Sequence, residues 1–398
     1  SESSSVHKEA ARAMCCLSFS GANHESMVKQ SILNALCKLL SSDCNEAARF
    51  SSLAIGNLAT TQNAQLLIGK TGIVAPLTRL LLASSPIGCQ KASCRSLSRL
   101  ATAHEIIILI KNEREALPLL LNLLSAPETH SVEIADTDDH LNELAARVIC
   151  NLVAHESMHS YVLEANGLES LLNTLDRAAP EHRRFVAMAL CNLSLSPCHH
   201  GKLERHVSAL PCLANLNSNL HDSSLEEVEF AEVLCMLLSN MAAAGLKHKG
   251  KNQAKTISDL VRRISNSNAK YGSLLQLYLV FLYNMSRNSD SDSPHLETGV
   301  SSALIRFCRS NNNDIYCNRL AMATLCNLSA NADTRGDVAE GGGIQTMVRT
   351  IEDHDYDQDC RRYACVCLAN MFIFSTCGAQ EEVIALVFLK CLNNLPCR

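Results

Sequence analysis

One phrase recurs along the chain at nearly constant spacing: a small apolar run closing on Asn-Leu or Asn-Met. It reads "AIGNLAT" at Asn57, "VICNLVA" at Asn151, "ALCNLSL" at Asn192 and "TLCNLSA" at Asn327, with weaker copies "LLSNMAA" at Asn240, "FLYNMSR" at Asn284 and "CLANMFI" at Asn370. Two further copies carry another residue at the Asn place, "AMCCLSF" at Cys16 and "SLSRLAT" at Arg99. The successive intervals are 41, 42, 52, 41, 48, 44, 43 and 43 residues. A period near 43 residues constrains the fold more than composition does. It calls for one supersecondary unit written again and again, each unit too small to bury a core alone and stabilised by its neighbours.

Glycines mark the same phase. Gly72, Gly167, Gly299 and Gly343 lie 15 or 16 residues after Asn57, Asn151, Asn284 and Asn327, where glycine lets a helix end in positive φ and turn. Between each glycine and the next asparagine there is room for two helices. One is short and leucine-rich, as in "IVAPLTRLLLAS" or "LESLLNTLDRA". The other is longer, as in "AARFSSLAIGNLAT", where Ala48, Ser52, Ile55 and Ala59 follow helical spacing and small side chains permit close helix approach. No sustained apolar–polar alternation and no Asn-Gly hairpin is present, so strands are not expected.

The Asn-Leu-Ser/Ala phrase, a polar residue shortly after it (Asn63, Asn331) and then "GGI" or "NGL" resemble the armadillo-repeat family, β-catenin-like adaptors among its members. The resemblance spans nearly the whole chain. It implies an all-α fold: a right-handed armadillo superhelical solenoid of about nine registers, three helices per repeat, with the third helices lining a groove. The expected organisation is a single solenoid over residues 1–398, incomplete at both ends. Residues 1–20 read as the third helix of a truncated repeat and 379–398 as the start of a further one, so the natural protein is expected to continue past one or both ends. Segments 126–140 (acidic) and 244–255 (basic) read as insertion loops, as do shorter polar stretches at 217–227 and 287–295.

The resemblance also implies a site. In relatives the repeated asparagine pairs with the main chain of an extended peptide, which points to Asn57, Asn151, Asn192, Asn240, Asn284, Asn327 and Asn370; the bland reading is that each bonds a neighbouring helix. One helical turn earlier stand Arg12, Leu53, Arg95, Arg147, Met188, Met236, Val280, Ala323 and Val366. Import adaptors of this fold use Trp there, and this chain has none, which argues against a basic import signal as ligand. Two turns earlier stand Lys8, Arg49, Lys91, Glu143, Arg184, Glu232, Gln276, Arg319 and Arg362. Six of these nine are basic (Lys8, Arg49, Lys91, Arg184, Arg319, Arg362) in a chain of net charge −5, so an acidic protein or peptide partner is expected.

Other classes are excluded on chemistry. The net charge argues against a wholly basic nucleic-acid binder, and an aromatic content of 4% leaves few stacking platforms for single strands. No apolar run of membrane-spanning length is visible. The 20 cysteines sit inside apolar helical stretches, which fits small buried thiols in a reducing compartment. Metal is not expected: His199 and His200 after Cys198 lack further ligands at suitable spacing, and "DHDYDQD" at 353–359 lacks the glycine and terminal Glu of a calcium loop. Gly341, Gly342 and Gly343 follow no strand and precede no Lys-Ser/Thr, so no phosphate loop is expected. The Asn-x-Ser triplets at Asn192, Asn284 and Asn327 fall in helical register and are not read as glycosylation sites. With no nucleophile elbow, zincin helix or kinase set, no enzymatic activity and no cofactor is expected. The chain therefore reads as a cytoplasmic scaffold or adaptor, with a cytoskeletal link and a place in a larger assembly expected. The alternative is a regulatory subunit that wraps a folded enzyme or small GTPase.

Overall fold

Each repeat is built so that its longest helix is lined with small residues where it meets its neighbour. The computed structural model describes residues 2–125, 140–177, 180–207, 225–245, 272–287, 299–310, 314–353 and 357–373. All regular elements among them are helices. The segments 126–139, 246–255 and 379–398 fall outside the described residues, and with them most of the expected insertions. The chain divides into two compact units, Ser1–His199 and His200–Arg398.

In the first unit the three-helix repeat is complete several times. Gly21–Met27, Gln30–Leu40 and Asn45–Leu58 form one repeat, and Gln62–Gly69, Val74–Arg79 and Ile87–Leu100 the next. His104–Asn112, Ala116–Ser125 and Leu141–Val153 follow, and then His159–Glu164, Gly167–Arg177 and Pro180–Ser194. Glu2–Ser18 packs on Asn45–Leu58 as a third helix would. The third helices lie side by side in chain order, Glu2–Ser18 on Asn45–Leu58, then Ile87–Leu100, Leu141–Val153 and Pro180–Ser194. In the second unit Leu225–Ala243, Gly272–Arg287, Ile315–Ala330 and Gln358–Ile373 stack in the same way. Val300–Arg309, Ala332–Glu340 and Gly343–Glu352 supply shorter helices there.

Packing explains the sequence of a third helix. Asn45–Leu58 buries Ala47, Ala48, Ser51, Ser52, Ala54, Ile55, Gly56 and Leu58, a band too wide for large side chains at such short separation. A Cβ on Gly56 would stand 2.9 Å from Ser96 Oγ and 3.2 Å from Ser96 Cα, so the two backbones nearly touch. Ser96 Oγ lies 2.5 Å from the Ser52 carbonyl and 3.0 Å from that of Ala92, with one hydrogen to donate between them, which satisfies a hydroxyl held between two helices. The second helices add the bulk: Leu33, Leu36 and Leu40 are buried, each worth about 1.5–3 kcal/mol of transfer free energy. Buried thiols belong to the same packing. Burial pushes Cys94 and Cys308 up to about 12 and Cys150 up to about 11, so these sulfurs stay neutral and behave as small apolar groups.

The turn between first and second helices corrects one expectation. Left-handed backbone falls at Gly72 (φ 73°), Asn166 (φ 54°), Gly299 (φ 78°) and Gly342 (φ 88°), each fifteen residues after its register asparagine. Gly167 and Gly343, expected to fill that role, stand one place later and do something else. A Cβ on Gly167 would meet Val162 Cγ1 at 2.7 Å and its carbonyl at 3.1 Å, and a Cβ on Gly343 would collide with the Val338 carbonyl. The pair Asn166-Gly167 or Gly342-Gly343 thus splits the work: the first residue turns the chain and the second lets the new helix start against the old one. Gly343→Ala is expected to destabilise by about 1–3 kcal/mol through this clash, while Asn166→Gly changes stability by only a few tenths of a kcal/mol. Thermal unfolding of the two variants checks this, and an unchanged midpoint for Gly343→Ala contradicts the close approach.

Candidate functional site

The register asparagines are half-buried on the third helices, and at six of them the amide nitrogen bonds the preceding repeat. Asn57 Nδ2 donates to Ser18 Oγ at 3.1 Å, Asn151 Nδ2 to the Ser98 carbonyl at 2.7 Å, and Asn192 Nδ2 to the Cys150 carbonyl at 3.5 Å. In the second unit Asn284 Nδ2 reaches the Ser239 carbonyl at 3.2 Å and its hydroxyl at 2.9 Å. Asn327 Nδ2 reaches Ser286 Oγ at 2.9 Å, and Asn370 Nδ2 the Cys326 carbonyl at 3.3 Å and Ser329 Oγ at 3.2 Å. Asn240 is half-buried at the same register. Arg99, which replaces asparagine, keeps the direction of the bond: its Nη1 donates to the Gly56 carbonyl at 2.9 Å and to Asn57 Oδ1 at 3.0 Å.

The serine two places after the register residue completes the contact. Ser18, Ser286 and Ser329 donate to the carbonyl three residues back, at 2.6, 2.8 and 2.7 Å, which turns their lone pairs toward the next asparagine. The Asn-x-Ser triplets at Asn284 and Asn327 are therefore two halves of successive bonds along the stack. A primary amide has two hydrogens and a carbonyl oxygen. The stack draws on the nitrogen, and at Asn57 the oxygen is engaged as well, by Arg99 Nη1.

The expected basic row is of two kinds. In the first unit Lys91, Arg95 and Arg99 stand four residues apart on Ile87–Leu100, a helix without a single Asp or Glu, and they make up its outward edge after Ile87 and Gly88. Lys8 and Arg184 are half-buried at equivalent places. Arg49 leans on Phe50 at 4.8 Å and bonds Glu46 at 3.3 Å, while Arg147 bonds Glu143 at 3.0 Å and covers Phe185 at 4.6 Å. In the second unit the cations are matched within the chain. Arg319 forks onto Asp357 at 2.8 and 2.6 Å, and Arg362 bonds Asp359 at 3.2 Å. Asp357 also accepts the amide hydrogens of Asp359 at 3.0 Å and Cys360 at 3.3 Å, so it caps its own helix. Its hydrogen bonds from Arg319, with those amides, hold the Asp357 carboxyl down to about 2.

Another row was not read from the sequence. Eight residues after the register position, His24, Gln65, His159 and Arg335 each reach back to a carbonyl at the C-terminus of the third helix. His24 Nε2 lies 2.8 Å from the Ser18 carbonyl and His159 Nε2 2.8 Å from that of Val153, so each carries its proton on that nitrogen. Gln65 Nε2 donates to the Ala59 carbonyl at 3.2 Å and Arg335 Nε to that of Ser329 at 2.9 Å. Helix C-termini leave orphan carbonyls, and a donor of any type serves. That is why three residue types share the place and no motif announces it. The helix cap after the register residue is likewise Thr61 and Asn331, whose side chains accept from Ala64 and Asp333 amides at 3.2 and 2.9 Å. Asn63, paired with Asn331 in the sequence reading, stands instead exposed in the first turn.

Among the described residues no group of three or more His, Cys, Asp or Glu converges as a metal site. No described helix is long and apolar enough to cross a membrane. Asp357 supplies a pH test. Its pKa is depressed below the ordinary value of about 3.9, so its contribution is present above about pH 4 and lost as pH falls through about 2. Asp357→Asn is expected to lower the unfolding midpoint at neutral pH and to flatten its decline between pH 4 and pH 2; an identical acid limb in both proteins contradicts the pairing.

No protein-family model and no curated protein matches the chain. Solved structures do. The crystal structure of an engineered protein aligns with a TM-score of 0.75 at 20% identity, over 99% of this chain and 92% of that one. A structure from work on a phosphorylation switch between cadherin and β-catenin aligns with a TM-score of 0.66 at 16% identity, over 92% of this chain and 66% of that one. A computationally designed armadillo repeat protein for modular peptide recognition aligns with a TM-score of 0.49 at 23% identity, over 57% and 92%. At such identities the likeness speaks to fold. With three-helix repeats of about 43 residues stacked through their third helices, the chain has the fold of an all-α armadillo-repeat solenoid.

Proposed function

We propose that this chain is a non-enzymatic protein-binding scaffold that lays an extended segment of a partner across its third helices. The observation behind this reading is the outward edge of those helices, repeated in register from one to the next within each of the two units. It offers half-exposed amides at Asn57, Asn151, Asn192, Asn240, Asn284, Asn327 and Asn370, with side chains of chosen chemistry one and two turns before them. Shallow contacts of this kind gain affinity by adding along one chain. The structural neighbours include one from work on cadherin and β-catenin, which is in keeping with the reading.

The acidic character of the partner rests on the first unit. Lys91, Arg95 and Arg99, with Lys8 and Arg184, provide cations on helices that carry few carboxylates, and Arg49 adds to them while bonded to Glu46. Arg319 and Arg362 contribute less, since Asp357 and Asp359 already occupy them. Among the described residues the cysteines are mostly buried and outside disulfides, which is in keeping with a reducing compartment and supports a cytoplasmic adaptor. A cytoskeletal link and membership of a larger assembly rest on family resemblance alone.

Crosslinking mass spectrometry of the full-length protein in its own cell identifies the partner. Crosslinks to one extended segment support the scaffold, and crosslinks to a folded enzyme or GTPase support the regulatory-subunit alternative. With the captured segment, Lys91→Glu combined with Arg95→Glu is expected to weaken binding at least tenfold at low salt and to flatten its salt dependence. Unchanged affinity and unchanged salt slope in a folded variant remove the acidic partner.

A further inference from the structure

The outward edge of the second unit differs in kind from that of the first. One turn before the asparagines its four stacked helices present Met236, Val280, Ala323 and Val366 in order. Met236 is 37% exposed and Val366 44% exposed, so both side chains reach the surface. Val280 is half-buried, and Ala323 offers only a methyl at 5% exposure, so the row is lowest between Val280 and Val366. The row is aliphatic throughout.

The row above it is occupied from within. Ser273 donates to Glu232, Gln276 Nε2 donates to Asp314 at 3.0 Å, Arg319 forks onto Asp357, and Arg362 bonds Asp359. Two arginines thus stand with four carboxylates, so this edge presents no spare positive charge to an acidic ligand. Below the row the asparagines offer amide groups suited to main chain rather than to side-chain charge. A site with amides on one side, an aliphatic floor and an upper rim holding more carboxylates than arginines repels an acidic ligand, and its floor is complementary to an extended chain whose inward side chains are uncharged and branched.

Building on the reading that third helices bind an extended segment, we infer that the second unit takes an uncharged, aliphatic stretch of a partner protein along Met236, Val280, Ala323 and Val366. Stacked helices lie about 8–10 Å apart, so crossing four of them spans about 24–30 Å. At about 3.3 Å per residue that is about seven to nine residues of extended chain. Its successive side chains alternate in direction, so aliphatic residues are required at every second place and the intervening places are unconstrained.

Selection of random ten-residue peptides displayed on phage, using the full chain as bait, tests this. The enriched peptides are sorted by two folded variants, Met236→Glu with Val366→Glu, and Lys91→Glu with Arg95→Glu; circular dichroism confirms the folding of both. A milder pair, Met236→Gln with Val366→Thr, keeps side-chain size if the glutamates unfold the unit. The expected result is a class of peptides with alternating Val, Ile or Leu whose binding falls at least tenfold in the Met236/Val366 variants and is nearly indifferent to salt. The inference is overturned if the peptides sensitive to those variants are acidic, if none is sensitive to them, or if no peptide is enriched. Peptides sensitive only to the Lys91/Arg95 variant leave the scaffold reading standing while the aliphatic stretch falls; peptides indifferent to every third-helix change remove both.

Discussion

Everything in this molecule depends on third helices approaching one another closely while their polar groups remain satisfied. The approach is made possible by glycine, alanine and serine along the buried side, as at Gly56 and Ser96. It leaves little room for water, so each polar group at the contact needs a partner from the chain itself. The amide of the register asparagine supplies that partner, bonding back to a carbonyl or serine hydroxyl of the preceding helix. The repeated asparagine is therefore explained by stacking before any ligand is considered.

The same bonds determine what the outward edge can be. A helix locked to its neighbour at one register exposes the same positions in each repeat, and those positions are then open to chemical choice. The first unit places mostly cations there, most densely on Ile87–Leu100, and the second aliphatic side chains beneath a rim where Arg319 and Arg362 pair with Asp357 and Asp359. Arg99 shows how the two demands meet. It replaces the asparagine bond and at the same time ends the cationic edge of its helix.

Much of this was legible in the sequence because stacking imposes a period. The spacing of the Asn-Leu phrase revealed the repeat, and the small residues of "AARFSSLAIGNLAT" revealed the buried side of the third helix. The turn was legible only to within one residue, since Asn166 adopts the conformation that glycine takes at Gly72, and Gly167 and Gly343 are fixed by contact with Val162 and Val338 rather than by their own φ. The carbonyl clamp of His24, Gln65, His159 and Arg335 left no motif, because an orphan carbonyl accepts from any donor. The pairing of Arg319 with Asp357 joins residues 38 apart in sequence and depends on the angle between two repeats, which composition does not carry.

The most direct test of the account is a double-mutant cycle on one inter-repeat bond. Asn327→Ala, Ser286→Ala and the combined variant are compared by denaturant unfolding, with hydrogen exchange at Gly272–Arg287 and Ile315–Ala330 as a local readout, since a repeat stack need not unfold in two states. The account predicts a coupling of about 1 kcal/mol and a joint loss of protection in both helices. Strictly additive effects, or a loss of protection confined to the helix that carries the substitution, would contradict it.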